Sequence, residues 1–402
     1  MFFIGILTII GISSDEKNNE RSVDLNSIVF DDLPMYSILC PLYKEEKILS
    51  QFIKAMENLK YPINKLEVIL LFEEDDVKTI EFAKSLDLPK QFRIEVIPHR
   101  LPKTKPKAIN YGLNIAKGEY IVVYDAEDMP ESDQLLKSAN CFSKESTDVV
   151  CLQAKLNFYN PTHNILTRAF TAEYSFWFDC ILQGLQIINA PIPLGGTSNH
   201  FRKDKLIELG GWDPFNVTED CDLGMKLYNK GCKVKILDST TFEEANSDVF
   251  NWIRQRSRWI KGYMQTHIVY TRSLFNMKRE FIFFMQAIIG WRWFTLLVNP
   301  LMWTLTVIYI LEYSHVVGFY KDIFPPVIFY MAVLSLAIGN FLYVYYNLIG
   351  LAKKGYWNLI PSIIFIPFYW LLMSYSSFIA LYQLFVKPHF WEKTHHGLHI
   401  KS

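Results

Sequence analysis

The 402-residue sequence is poor in residues that break or crosslink a chain: 18 glycines, 18 prolines and six cysteines. With half of its residues apolar, it fits neither a collagen-like repeat nor an intrinsically disordered protein. Neither charge is in excess. Its 41 basic side chains stand against 41 acidic ones, which argues against a general nucleic-acid binder, and no nucleic-acid partner is expected. Cys40, Cys141, Cys151, Cys180, Cys221 and Cys232 include no C-x-x-C pair, so they read as reduced core residues. Two phosphate cradles are missing as well. Neither G-x-x-x-x-G-K-[ST] nor a G-x-G-x-x-G following a strand occurs, which argues against P-loop hydrolysis and dinucleotide oxidoreduction.

Charge is also unevenly placed. Only ten charged side chains fall in residues 281–402, and all the others fall in residues 1–280. Residues 281–311 are interrupted only by Arg292, and residues 326–352 and 357–386 carry no charge. A bilayer core needs about 20 apolar helical residues, so each stretch is long enough to span. Pro361 and Pro367 make the third either one kinked span or an interfacial hairpin. The pair Lys353-Lys354 places its loop, and by parity the first 280 residues, on the cytoplasmic side. Residues 1–12 are apolar but, at roughly 18 Å as a helix, too short to span. They read as the stump of an anchor or a strip on the membrane surface. They lack the basic n-region and cleavage site of a signal peptide.

After a polar stretch (13–26), strand-like and helix-like patterns alternate. Residues 36–40, 66–72, 92–97 and 120–124 are short apolar runs of buried-strand type. Residues 44–59 place Ile48, Phe52, Ile53, Met56 and Leu59 at helical spacing, and a second helix is predicted over 107–116. The alternation implies an α/β domain with a mostly parallel sheet covered by helices. In such sheets ligands sit at the carboxyl ends of strands. Two strands here end in carboxylates: Glu73-Glu74-Asp75-Asp76 and Asp125-Ala126-Glu127-Asp128.

The second cluster suits Mg²⁺ or Mn²⁺, hard cations that take one or two carboxylates and leave sites for phosphate oxygens. Read alone, it is equally a solvated acidic turn. Lys103, Lys105 and Lys107 precede it in a proline-stiffened loop that could meet a phosphate-bearing donor or only water. Thr218-Glu219-Asp220 leads into a predicted helix over 221–230; Thr218 could be its N-cap, or Asp220 a general base for a hydroxyl nucleophile. Gln255-Arg256-Ser257-Arg258-Trp259 lies in a segment, 250–280, with seven basic residues and one acid. Its arginines could meet lipid headgroups, with Arg258 facing inward while its neighbours face lipid. His395 and His399 have the i, i+4 spacing of a chelating pair, but the intervening Gly397 disfavours a helix, and no metal is expected there.

Taken in order, Asp75-Asp76 after a strand, Asp125-Ala126-Glu127-Asp128, Thr218-Glu219-Asp220 and Gln255-x-x-Arg258-Trp259 resemble the membrane-embedded, cellulose-synthase-like branch of glycosyltransferase family 2. Lys105-Pro106-Lys107-Ala108-Ile109-Asn110, Leu194-Gly195-Gly196-Thr197-Ser198-Asn199 and the tail Trp391-Glu392-Lys393-Thr394-His395-His396-Gly397 resemble its bacterial members. The resemblance implies a GT-A (Rossmann-like) catalytic domain followed by interfacial and transmembrane helices. It implies that Asp75 or Asp76, with the turn containing Tyr43 and Glu45, holds the nucleoside of a sugar nucleotide of the UDP type. Lys105 matches a phosphate-side lysine, and Asp125 and Glu127 the two metal positions, with Asp128 an alternative to Glu127. Asp220 matches the base, Gln255 and Arg258 the diphosphate side, and Trp259 and Thr197 the acceptor side.

The expected organisation is an apolar segment and linker (1–33), the GT-A domain (34–249), a basic interfacial segment (250–280), a transmembrane region (281–386) and a tail (387–402). The expected activity is inverting, metal-dependent transfer of a sugar to a growing β-linked polysaccharide at the bacterial inner membrane, with the catalytic domain cytoplasmic. The partners are a nucleotide-sugar donor, a glycan or lipid-linked acceptor, the bilayer, and a membrane protein supplying N-terminal helices that family members usually have. Two other readings are a polyprenyl-phosphate monoglycosyltransferase and a truncated, non-catalytic membrane homologue. The first needs no channel, whereas the Gln-x-x-Arg-Trp motif belongs to chain-extending members.

Overall fold

A computed structural model of the chain describes residues 2–13, 30–272, 277–311 and 326–390. The linker after residue 13 and the tail motif from Trp391 to Gly397, with His395 and His399, lie outside the described residues. After helix α1 (Phe2–Ser13), the first half runs β1 (Tyr36–Leu42), α2 (Glu46–Glu57), β2 (Leu66–Glu73), α3 (Val77–Ser85), β3 (Phe92–Ile97), α4 (Lys105–Ile115) and β4 (Tyr120–Val123). The four strands expected from the apolar runs are all present, within a residue or two at their ends.

Alternation along these strands builds two cores, one on each face of the sheet. Ile38 and Cys40 of β1, Val68, Leu70 and Phe72 of β2, and Val122 of β4 join Leu49, Phe52 and Met56 of α2. The intervening residues Leu39, Ile69, Leu71, Ile121 and Val123 point the other way, onto Ala108, Ile109 and Leu113 of α4. Strands covered on both faces need no polar side, which is why β2 is continuously apolar from Val68 to Phe72. Each such buried aliphatic side chain contributes about 1.5–3 kcal/mol.

The chain continues through β5 (Met129–Pro130), α5 (Gln134–Lys144), β6 (Val149–Phe158), α6 (Ile165–Phe176), a π-helical turn (Trp177–Ile181), α7 (Leu182–Ile187), β7 (Asn199–Arg202), α8 (Lys203–Glu208), α9 (Glu219–Asn229) and β8 (Lys233–Glu243). The eight strands form one sheet in the order β3-β2-β1-β4-β7-β6-β8-β5. β3, β2, β1 and β4 are mutually parallel, and so are β6 and β8. β7 is antiparallel to both of its neighbours, as the short β5 is to β8. The turn before β7 is therefore laid across the carboxyl end of β4.

Helix α10 (Val249–Thr271) carries the Gln-x-x-Arg-Trp motif. Beyond it come α11 (Arg279–Phe284), a second π-helical segment (Met285–Gly290), α12 (Trp291–Leu311), α13 (Pro326–Lys353), a 3₁₀ segment (Trp357–Phe365) and α14 (Ile366–Val386). Among the described residues, two helical runs are long and apolar enough to cross a membrane, Arg279–Leu305 and Trp357–Val386. The latter holds Pro361 in its 3₁₀ turn, so the third apolar stretch is one helical run with a locally rewound start and no hairpin. These helices do not stand apart. Leu359, Ile363, Ile366, Tyr369 and Met373 share a third core with Phe158, Phe170, Trp252, Ile260 and Met264 of the preceding chain.

The N-terminal strip is docked on α7 of the α/β domain. Leu7 is fully buried against Gly184, while Ile6, Ile9 and Ile12 stay exposed. Lys353 and Lys354 touch the same region: Lys353 donates to the Asp179 carbonyl (2.5 Å), and Lys354 pairs with the Asp179 carboxylate (3.4 Å).

Candidate active site

The carboxyl ends of β1, β2 and β4, the turn before β7, the start of α9 and the inner face of α10 enclose a cleft of about 330 Å³. Tyr43, Glu45, Lys105, Asp125, Glu127, Thr197, Asp220, Gln255, Arg258 and Trp259 all line it. Asp75, Asp76 and Asp128 do not.

At the β1–β2 end, the Lys44 backbone is left-handed (φ 56°), and its N–H donates to Asp76 Oδ2 (2.5 Å). Asp76 is buried and shapes the turn that carries Tyr43 and Glu45. Asp75 is the more open carboxylate, receiving the Tyr43 hydroxyl (3.3 Å) and pairing with Lys103 (2.8 Å). The Lys103 hydrogen bond is the main cause that holds the Asp75 carboxyl below the usual range. Tyr43, Asp75 and Lys103 thus offer a ring, an acceptor and a cation at one edge of the cleft.

At the centre, Lys105 opens α4 and reaches Asp125 Oδ1 (2.5 Å) and the Gly196 carbonyl (2.6 Å). Burial alone would pull its ammonium down, but Asp125, Glu219 and Asp220 together hold it above the ordinary lysine range. The turn 195–198 that supplies Gly196 is pinned from below. Gln153 accepts the Gly195 N–H (2.6 Å) and donates to the Thr197 carbonyl (3.0 Å), and Ser198 N–H donates to Val123 (2.8 Å). Ser198 sits at φ 58° to make the turn into β7.

Asp128 is fully buried beneath this turn. Its Oδ2 accepts the Asp125 N–H (2.6 Å) and the Thr197 hydroxyl, and burial drives its carboxyl well up. The hydroxyl of Thr197 also reaches the Val123 carbonyl (3.1 Å), so both side chains hold the loop. Among the described residues, no cluster of three or more His, Cys, Asp or Glu is preassembled for a metal. Asp125 and Glu127 nonetheless both face the cleft. Two carboxylates completed by diphosphate oxygens are a donor set that a hard divalent cation accepts.

Opposite them stands Asp220, one residue into α9. Thr218 occupies the N-cap position, but its side chain makes no cap hydrogen bond; Asp220 Oδ1 accepts the Cys221 N–H instead (2.7 Å). Burial raises the Asp220 carboxyl against the pull of that N–H, Lys105 and Arg258. Glu219 is pushed up to about 8, by burial first and by Asp220 second. Two glycines let these parts close up. A Cβ on Gly196 would stand 3.2 Å from Asp220 Oδ2, and one on Gly262 of α10 only 2.7 Å from Thr218 Cβ. Gln255 Oε1 is buried and meets no hydrogen-bond donor among the described residues.

The arrangement of α10 departs from the expected division between Arg258 and its neighbours. Arg258 does line the cleft, but Arg256 is also inward, with a side chain only 3% exposed. It forms a two-pronged pair with Glu173 of α6 and donates to the Tyr369 hydroxyl of α14 (2.7 Å), which in turn donates to Glu173 (2.5 Å). Its guanidinium also lies 4.8 Å from the ring of Trp259 and 4.3 Å from that of Phe170. The sequence reading had not singled out Glu173, Trp177, Tyr263 or Tyr369. Glu173 is the sole acid of helix Ile165–Phe176.

The domain is a GT-A-like, mostly parallel α/β sheet with carboxylates at its strand ends and cations across the cleft. The sequence profile of glycosyltransferase like family 2 matches residues 34–262, and the chain belongs to that family. It is 29% identical over 264 residues to a protein named probable glycosyltransferase YdaM from Bacillus subtilis (strain 168), covering 63% of this chain and 61% of that one. It is 28% identical over 280 residues to the beta-monoglucosyldiacylglycerol synthase of Nostoc sp. (strain PCC 7120), covering 67% and 58%. The chain thus spans less than two thirds of these relatives. The mannosyltransferase PcManGT from Pyrobaculum calidifontis, solved with GDP-Man and Mn²⁺, shares the fold: TM-score 0.54 at 17% identity, covering 95% of this chain and 99% of that one.

Proposed function

We propose that the protein is an inverting, metal-dependent hexosyltransferase that moves a sugar from a nucleoside diphosphate donor to an acceptor hydroxyl at the cytoplasmic face of a bacterial inner membrane. The observation that carries this is the convergence of Lys105, Asp125, Glu127, Asp220 and Arg258 on one cleft. Tyr43 and Asp75 hold the nucleoside, and Lys105, Gln255 and Arg258 face its diphosphate. Asp125 and Glu127 hold Mg²⁺ or Mn²⁺; Asp128, already bonded to the Asp125 N–H and Thr197, supports the loop instead. The bound metal supplies charge neutralisation for the departing diphosphate.

Asp220 accepts the proton of the acceptor hydroxyl as its oxygen bonds to the anomeric carbon. The carbon–oxygen bond to the diphosphate breaks, and the leaving group takes the electron pair. A single displacement with the base opposite the leaving group inverts the anomeric centre. A sugar hydroxyl is a poor acid, so a carboxylate that burial raises above its ordinary range is a better-matched base than an exposed aspartate. Lys105 and Arg258, fixed before the reaction, stabilise charge as it develops.

Two acceptors have specific support. The Gln255-x-x-Arg258-Trp259 motif favours a growing β-linked polysaccharide, with Trp259 as a stacking platform for its last sugar. The naming of one relative as a glucosyldiacylglycerol synthase favours a lipid. Arg279–Leu305 and Trp357–Val386 support a multi-pass membrane placement. The contacts of Lys353 and Lys354 with Asp179 support their lying on the same side as the catalytic domain. The test is a screen of UDP- and GDP-sugars for metal-dependent release of nucleoside diphosphate by the membrane-embedded chain. Release by none of them, with glycan and lipid acceptors both supplied, ends this reading.

A further inference from the structure

Arg292 is the one charge in the apolar stretch 281–311, and the chemistry above leaves it unused. A charge near the middle of the apolar helical run Arg279–Leu305 is costly unless it turns to protein partners or a polar cavity. This one turns inward and lines the cleft. Its guanidinium lies 4.5 Å from the ring of Trp177 and 5.6 Å from that of Tyr263. Both π-helical segments flank it: Trp177 begins the first, and the second ends immediately before α12. Such widened turns re-aim side chains and recur at functional sites.

Its charge is in surplus. The nearest carboxylate is Glu173, whose Oε2 is taken by Arg256 and Tyr369 and whose Oε1 already receives Arg256 at 3.1 Å. Arg292 reaches Oε1 only at 3.4 Å and stays 30% exposed. Two guanidiniums thus share one carboxylate. Toward the reaction centre, Tyr263, whose ring lies 5.6 Å from the Arg292 guanidinium, lines the same cleft as Asp220. Toward the membrane, Trp291 and Phe294 are exposed on the same first turns of α12. The first turns of α12 therefore bring the cleft and the apolar outer surface of the helix together.

We propose that Arg292, clamped between Trp177 and Tyr263, binds the phosphate of a membrane-lipid acceptor whose hydroxyl lies at Asp220. A fixed planar guanidinium with uncommitted N–H groups matches a phosphate in two-pronged fashion. The acceptor is then a hydroxyl-bearing phospholipid or a sugar carried on a lipid phosphate, rather than a neutral diacylglycerol. The inference rests on reading Asp220 as the base and adds the acceptor's anionic group.

Binding of short-chain lipids to the full chain in neutral detergent tests this, with dioctanoyl phosphatidylglycerol, dioctanoylglycerol and inorganic phosphate as probes. The phospholipid is expected to bind roughly tenfold or more tightly than dioctanoylglycerol, the scale of hydrogen bonds to a charged group. Arg292→Gln should erase that preference, and Arg292→Lys should keep part of it. UDP binding by each variant reports whether the fold survives. Equal affinity of the unaltered protein for the two lipids overturns the proposal, as does a preference that persists in a folded Arg292→Gln protein. Inorganic phosphate binding as tightly as the phospholipid overturns the lipid source. None of these measurements needs turnover. A protein that transfers no sugar therefore ends the enzymatic reading separately, and an active one with no phosphate preference ends only this inference.

Discussion

The Lys105 ammonium lies 2.5 Å from Asp125 Oδ1, so a cation already neutralises the carboxylate that the proposed metal needs. The same ammonium is held by the Gly196 carbonyl at 2.6 Å, and Glu219 and Asp220 add their fields. A divalent ion must share or displace this partner, and donor diphosphate gives the lysine somewhere to go.

Two opposite effects follow for Lys105→Met. Mn²⁺ binding in the absence of nucleotide should tighten, because Asp125 loses its competing cation. Turnover should fall by about 10²–10³, the cost of removing one fixed donor to developing charge. Calorimetry with Mn²⁺ and a donor turnover assay read the two separately. Weaker metal binding in the variant would mean that Lys105 orders Asp125 rather than competing for it.

Asp220→Asn keeps the shape of the cleft but removes the proton acceptor. Turnover should fall by about 10²–10⁴, while donor affinity changes little. Product formation and equilibrium UDP binding on the same preparation make the comparison. Near-normal turnover removes Asp220 as base.

Gly196 is a glycine for a local reason: an added Cβ would stand 3.2 Å from Asp220 Oδ2, closer than ordinary contact. Gly196→Ala should displace the carboxylate by a few tenths of an ångström. Since about 1 Å of misplacement can cost 10²-fold, kcat should drop by roughly tenfold with little change in donor KM. An equal rise in KM would instead locate the damage at the Lys105 side of the turn.

The parts of this site that were legible in sequence are those fixed by short-range pattern. Apolar runs ending in Asp75 and Asp125 announced strand ends, and a parallel sheet dictates that such ends face a ligand. What was not legible depends on long-range contact. Glu127 and Asp128 are adjacent acids in the sequence, yet one faces the cleft and the other is buried under Thr197. Arg256 and Arg258 looked alike as basic residues of an interfacial segment. Only the approach of Glu173 from α6 and Tyr369 from α14 turns Arg256 inward. Strands β6 to β8 join the sheet through remote and partly antiparallel pairings that no local pattern announces.

That buried pair carries its own prediction. Removing one member of a buried, hydrogen-bonded ion pair leaves the other charge uncompensated, at about 3–5 kcal/mol. Glu173→Gln strands two guanidiniums and should lower the unfolding midpoint in detergent more than Arg292→Gln, which leaves the Arg256 pair intact. The reverse order would mean that Arg292, rather than Arg256, is the principal partner of Glu173.

Glu219 gives a pH signature whose sign is fixed by its burial. Its carboxyl is raised from 4.5 to about 8 in the folded protein, by burial first and by Asp220 second. Below the unfolded value Glu219 is protonated in both states, and its carboxyl adds no buried charge to the folded protein. As pH rises, the unfolded chain releases its proton first, so the folded state binds more protons and loses relative stability. The decline should therefore run from about pH 4.5 to about pH 8, as the folded carboxyl ionises. Glu219→Gln should flatten this part of the profile of unfolding midpoint against pH, because its side chain does not titrate. Bound divalent cation should also flatten it by favouring the charged form. A midpoint that rises across this range in the unaltered protein, or a decline of equal slope in Glu219→Gln, would show that other groups set the pH response.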